Sequence, residues 1–185
     1  MSITAIDANT ALILIDLQKG IVANPTAHPV EAVLKHAREL ADAFRRHRLP
    51  VVLVNVIGGA PGRVEQRAGG ERPADWAELV PELDAQASDH RVSKKTWGAF
   101  ASTDLAAHLR GLGVTQVVIG GVSTSIGVES TARQAFEAGF NVTLAIDAMT
   151  DTRAEAHDNS IARIFPRLGE TGGTREIVEQ LDARA

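Results

Sequence analysis

Hydrophobic residues follow two alternating patterns along the chain. Short runs rich in apolar residues, each closed by a polar residue or a glycine pair, alternate with longer stretches in which apolar positions recur every three or four residues. Ala11 to Ile15 is one such run, ending in Asp16, and it suits a strand covered on both faces rather than one with a wet side. From about Pro29 to Arg48, residues Val30, Val33, Leu34, Ala37, Leu40, Ala41 and Phe44 make one helical stripe. Pro50 opens a second strand, Val51 to Ile57. Val114 to Ile119 is another, ending in Gly120 and Gly121, and Asn141 to Ile146 is a further one, ending in Asp147. Between these two, Ile126 to Ala138 reads as a helix closed by Gly139, the usual residue for a left-handed cap. Thr152 and Glu155 have the spacing of a capping box that opens a helix through Phe165.

Strands alternating with helices imply parallel pairing. The expectation is one α/β domain over residues 1–185, a doubly wound, Rossmann-like three-layer sandwich with a mostly parallel sheet. The stretch from Gly58 to Val92 holds two Gly-Gly pairs with Pro61, Pro73 and Pro81, and it is too long for a plain connection. It is expected to contain a short helix around Trp76 to Leu79 and to act as a lid or an oligomer contact. Arg91 to Ser93 would be a short strand after it.

Composition narrows the chemistry. With 185 residues and 44% hydrophobic content, the chain can build a sizeable core without disulfides or metals. It has no cysteine, which removes disulfides, Cys-ligated metal centres and any thiolate nucleophile. Nineteen Lys and Arg against 23 Asp and Glu give a formal charge of −4, with the basic residues scattered. Nucleic acid is therefore not an expected partner, since phosphate neutralisation needs a concentrated basic face. Arg45, Arg46, His47 and Arg48 form the one tight basic cluster, at the end of a helical pattern where cations complement the dipole. No apolar run approaches the roughly 18 to 20 residues of a membrane span, and the first residues lack a leader pattern, so a cytoplasmic location without a membrane partner is expected.

In an open parallel sheet, ligands bind beyond the carboxyl ends of the strands, where the winding direction reverses. Asp16, Lys94 and the segment from Gly120 to Gly127 fall at such ends. A carboxylate after five apolar residues emerges in partly dry surroundings that raise its pKa unless a cation is near. Lys94 is a candidate cation, and from spacing alone the two read equally as a structural ion pair or as catalytic groups. Gly121 to Gly127 joins a strand to a helix whose first N–H groups are unpaired, an anion or oxyanion site in one reading and a Ser/Thr cap in the other. A nucleophile elbow fails there, because Ser125 stands where the pattern needs its last glycine. The six histidines show no metal-binding spacing, and His157 is read as a packing or solvent residue.

These positions together resemble the isochorismatase-like hydrolase superfamily, which includes cysteine amidases and isochorismatases. Leu14-Ile-Asp16-Leu-Gln18 is similar to the family's first-strand motif. Lys94-Lys-Thr-Trp-Gly-Ala-Phe100 with Thr103-Asp104-Leu105 is similar to its K-x-x-x-S-A-F…T-D-L segment, and the stretch Gly121 to Ala132 to its G-V-x-T-x-x-C-V-x-x-T-A turn. The resemblance implies Asp16 as catalytic acid/base, Lys94 as catalytic lysine, and Gly127 at the position of the nucleophilic cysteine. It implies a pocket lined by Gln18, Trp97, Phe100, Val122, Ser123 and Ile126, with a cis peptide between Val122 and Ser123. A glycine cannot form a thioester. Isochorismatases in the superfamily also work without a cysteine: by resemblance, an aspartic acid protonates an enol-ether carbon and water adds to the oxocarbenium ion. In that reading Lys94 holds the substrate carboxylate or steadies the acid, and the small Gly127 leaves room for substrate or water.

The chain departs from its relatives at Trp97-Gly98, where the isochorismatases carry Tyr-Ser, and at Asn55 to Gly58, where nicotinamidases carry an Asp-x-His metal element. The resulting expectation is a hydrolase of a small, carboxylated metabolite, with no metal or other cofactor, assembled as a homodimer or homotetramer. The alternatives are a silent small-molecule-binding or regulatory member of the fold, and an amidase using Ser123, Thr124 or Ser125.

Overall fold

The computed structural model describes residues 3–65 and 71–184. Six strands, β1 Thr10–Ile15, β2 Val51–Val56, β3 His90–Lys94, β4 Gln116–Val122, β5 Asn141–Thr150 and β6 Glu170–Gly172, form one sheet in the order β3-β2-β1-β4-β5-β6. Every neighbouring pair is parallel. The order reverses between β1 and β4, so the doubly wound α/β expectation holds, and the switch point lies between these two central strands.

Six of six residues in β1 are buried, which explains the unbroken apolar run. Leu12 and Leu14 pack on one face with α2 (Val30–Arg46) and α6 (Thr174–Asp182), whereas Ala11, Ile13 and Ile15 pack on the other with α3 (Leu105–Gly111) and α4 (Glu129–Glu137). A strand alternates its side chains between faces, and helices cover both, so no polar face remains to write into the sequence. No helix among the described residues is long and apolar enough to cross a membrane.

Several elements depart from the sequence reading. The stretch around Trp76 to Leu79 is a turn rather than a helix: Leu79 makes an antiparallel bridge to Gln18, and among the described residues the helical geometry nearby is a 3-10 turn at Pro81–Leu83. The expected helix from Ile126 begins earlier, as a π-turn over Thr124–Val128 that runs into α4. The capping box does not form. Arg153 takes the cap position of α5 (Ala154–Asn159), while the Thr152 hydroxyl faces the carboxylate of Asp151, a buried acceptor that outcompetes the helix end. The helix expected through Phe165 ends at Asn159 and gives way to a π-turn and a 3-10 turn. The short helix α1 (Lys19–Val22), α3, β6 and α6 have no counterpart in the pattern reading.

β5 also continues past Ile146. Ile119 pairs with Leu144 and Gly121 with Met149, so the residues between Leu144 and Met149 bulge out of the ladder. Asp147 lies in this bulge and accepts hydrogen bonds from the backbone N–H of Thr174 (2.8 and 3.0 Å) and from its hydroxyl (2.7 Å), while its carbonyl meets His36 Nδ1 of α2 at 2.8 Å. One carboxylate thus satisfies the start of α6, whose first N–H groups have no partner within the helix. Replacing it (Asp147→Ala) should lower unfolding free energy by about 1–2 kcal/mol with an unchanged denaturant slope, measured by urea titration.

Candidate functional site

β1 and β4 end side by side, and Asp16 is the first residue beyond β1. Its φ of 52° places it in the left-handed region, uncommon outside glycine. This turns the carboxylate away from the strand direction. Gly121, at φ 124°, lets β4 pass so close that a Cβ there would fall on the backbone of Ile15. Beyond it, the Val122–Ser123 peptide is cis, as the resemblance implies, and the π-turn then carries Gly127 back toward β1. A Cβ at Gly127 would lie 3.2 Å from Asp16 Oδ2 and 2.9 Å from Ile15 Cγ2. Gly127 therefore faces the acid, but the expected free space is narrow, since an Ile15 methyl already crowds it.

Lys94 ends β3, two strands from β1, and reaches across to donate to Asp16 Oδ2 at 2.7 Å. It also donates to the carbonyls of Thr96 (3.2 Å) and Trp97 (2.9 Å). All three ammonium protons are engaged, so this lysine steadies the acid and has no donor left for a substrate carboxylate. The two side chains are nearly fully buried, Lys94 with 2% of its surface exposed and Asp16 with 5%. Burial pushes the Asp16 carboxyl up to about 6, against the opposing charge and hydrogen bond of Lys94. Its Oδ1 is buried and has no hydrogen-bond partner.

The other expected pocket residues divide. Gln18 is buried and works as a clamp: its Nε2 donates to the carbonyls of Val56 and Trp76 (both 3.1 Å), and its Oε1 accepts from Val56 N (2.7 Å). It joins the end of β1 to β2 and to the 74–79 turn, with no group left for substrate. Phe100 packs its ring on Phe140, at 5.9 Å between centroids, inside the α3/α4 layer. Val122 is buried in the core on the opposite side. Trp97, 68% exposed, and Ile126, 39% exposed, stand at the open edge, with Ser123 half-buried beside the turn. Trp76 is half-buried under the guanidinium of Arg72, 4.1 Å from the ring centre.

Two side chains that hold the site, Thr131 and Asp151, escaped the sequence reading, and a third, His157, takes the packing role of its two expected alternatives. Thr131 Oγ1 donates to the Gly127 carbonyl (2.7 Å) and accepts from Ala99 N (3.1 Å), tying the turn to the loop after Lys94. Asp151 accepts from both the N–H and the hydroxyl of Ser125, each at 2.8 Å. His157 meets the buried Thr124 hydroxyl at 2.8 Å, and burial and the neighbouring His28 hold its pKa below the ordinary histidine value. The Thr131 role alone had a signal, since a threonine one turn after a glycine on a helix is placed to bond back to its carbonyl. Thr124 and Ser125 are thus engaged in holding the turn, which speaks against either as a nucleophile. Asn55, at the place of the relatives' metal element, donates to the Ala77 carbonyl (2.8 Å) and accepts from the Ser93 hydroxyl (2.7 Å).

A family profile described as "Isochorismatase domain" matches residues 10–176. The chain is 43% identical to the isochorismatase family protein YwoC of Bacillus subtilis (strain 168), over 93% of this chain and 94% of that one. It is 41% identical to the isochorismatase family protein YecD of Escherichia coli O157:H7, over 93% and 96%. Its structure superposes on that of an isochorismatase family protein from Burkholderia thailandensis with a TM-score of 0.93 at 34% identity, covering 98% and 100% of the two chains.

The raised pKa of Asp16 makes a thermodynamic prediction. Between the ordinary carboxyl value of 3.8 and about 6 the folded protein binds a proton that the unfolded chain has released. The contribution of Asp16 to stability is therefore fully present below about pH 4 and is lost as pH rises through about 6, an effect of about 3 kcal/mol. Chemical denaturation across this window should show the native protein losing stability relative to Asp16→Asn by up to that amount. A difference independent of pH would overturn the assignment.

Proposed function

The chain belongs to the isochorismatase family and is a hydrolase of that family, and from this premise we propose that it cleaves a small carboxylated metabolite by Asp16-assisted addition of water, without a covalent intermediate. The observation that carries this reading is the state of Asp16. One oxygen is fixed on Lys94, and the other is buried without a partner on a carboxyl whose pKa is about 6. Such a group keeps a useful protonated fraction near neutral pH, as a general acid requires. The zero cysteine count, with glycine at position 127, removes thioester chemistry.

On a vinyl ether substrate the steps balance as follows. Asp16 gives its proton to the enol-ether methylene carbon, and the ether oxygen stabilises the resulting oxocarbenium ion. Water adds to the cationic carbon and returns a proton to the Asp16 carboxylate. The hemiketal then breaks its carbon–oxygen bond to release a keto acid and an alcohol. Lys94 keeps Asp16 oriented throughout and holds its conjugate base. Backbone N–H groups of the Ser123–Gly127 turn other than those of Ser125 and Ile126, which are held by Asp151 and Ser123, receive the substrate carboxylate, since the lysine is engaged. Trp97 and Ile126 flank the substrate at the open edge.

Incubation with isochorismate should release pyruvate, and Asp16→Asn should lower the rate by about a thousandfold or more. The native rate should fall about tenfold per pH unit above the Asp16 pKa, as the acid form is depleted. Equal turnover by the variant would refute the assigned role. Binding of isochorismate with full chemical recovery after long incubation would replace hydrolysis by simple ligand binding. Amide hydrolysis that arises only in Gly127→Cys would show that the site retains thiol-amidase geometry and lacks its nucleophile.

A further inference from the structure

The basic cluster at the end of α2 is largely neutralised within the fold. Arg45 forms a paired contact with the buried Asp89, at 3.1 and 2.6 Å, and also reaches Asp42; Arg46 and His47 both meet Asp182. Arg48 is different. Its side chain has no hydrogen bond or ion pair among the described residues, while its backbone N–H bonds to the Arg45 carbonyl (3.0 Å), and it sits just past the helix with a φ of 58°, a position that favours glycine or asparagine. The left-handed turn closes α2, with Leu49 N–H bonding back to the Phe44 carbonyl at 2.9 Å, and it leaves the Arg48 charge exposed and unshared.

Arg48 lines a cavity of about 660 Å³ at the amino ends of β2 and β3, the edge of the sheet opposite Asp16. His90, at the start of β3, and His108, on α3, share its wall and stack face to face, with centroids 3.6 Å apart and planes 9° from parallel. His90 Nε2 is buried there without a hydrogen-bond partner. Leu49, Pro50 and Leu112 supply apolar wall, and Leu112 is half exposed. The volume is in the range of small-molecule sites.

We propose that this cavity binds a small molecule made of an anionic group, phosphate or carboxylate, on an apolar body, with Arg48 and the stacked histidines facing the anion and Leu49, Pro50 and Leu112 facing the body. The charge balance favours an anion. Asp89, on the loop before β3, is neutralised by Arg45 of α2 and also accepts from Gln86 N. Asp104, at the start of α3, is the acid that acts on His90. Arg48 and any imidazole proton are left as net positive charge. Burial and the neighbouring His108 hold His90 below its ordinary value, with Asp104 opposing. An anion in the cavity reverses that balance, so binding takes up a proton and tightens as pH falls toward the histidine range.

The test is an NMR titration of the full-length protein, following the imidazole signals of all six histidines with phenyl phosphate, inorganic phosphate and phenol as separate probes. Phenyl phosphate should shift His90 and His108 and leave His28 and His157 unmoved, with a Kd on the order of 1 mM or tighter at about pH 6 and weaker binding at about pH 8. Inorganic phosphate should bind the same residues more weakly, phosphate without the ring lacking the apolar contact, and phenol should not bind. Arg48→Ala, an exposed substitution that leaves the core intact, should weaken phenyl phosphate at least about tenfold, while Asp16→Asn should leave it unchanged. The proposal is overturned by the absence of His90 and His108 shifts, by equal affinity in Arg48→Ala, by phenol binding as tightly as phenyl phosphate, or by binding that Asp16→Asn abolishes.

Discussion

A carboxylate at the end of a wholly buried strand needs a cation, and the nearest one available to Asp16 comes from two strands away. Removing both charges from water costs several kcal/mol per ion before their attraction offsets it, and the balance is favourable only when the remaining protons and lone pairs are also matched. The ammonium of Lys94 is fully matched, by one carboxylate oxygen and two carbonyls. The carboxylate is not, since Oδ1 has no partner. The ion pair is therefore asymmetric: the lysine side is closed, and the acid side keeps an unmet hydrogen bond where a proton can sit.

Much of the surrounding structure holds that geometry. Gln18 fixes the chain just beyond Asp16 against the end of β2 and the 74–79 turn. Thr131 joins the Gly127 carbonyl to the loop whose carbonyls receive Lys94. Asp151 and His157 hold the same turn from the far side, through Ser125 and Thr124. These side chains are polar and buried, and every one of these hydrogen bonds except that from Thr131 to Gly127, which spans one helical turn, links a segment of chain to another distant in sequence. Loss of any one leaves a buried donor or acceptor unsatisfied, which costs more than the bond itself contributes. Residues with the look of substrate ligands in the sequence, Gln18 above all, prove to be the frame on which the site is set.

How much was legible follows from this. The strands β1, β2 and β4, the helix α2 and the doubly wound class could be read because their apolar periods are long and unmixed. Asp16 and Lys94 were legible as strand-end residues in known motifs, and Gly127 as the odd position of a third. The bulge in β5 was hidden, because Asp147 reads as a strand terminator when its actual task is to cap a helix formed much later in the chain. The failed capping box at Thr152 has the same cause: a local signal was outweighed by Asp151, whose importance depends on its contact with Ser125. Short elements such as β6 carry too few residues for any period to emerge.

The amino-acid sequence by itself determined the alternating α/β order, the family's motif positions and the exclusion of thiol chemistry, since each depends on residue type and on near-neighbour spacing. Only the tertiary structure decided which polar side chains gather at the candidate site and which hold it together. That choice rests on contacts across β3, β1 and β4 and between helices far apart in the chain, where burial sets the proton affinity of Asp16 and leaves Lys94 no hydrogen to spare. No local pattern encodes a distance of that kind.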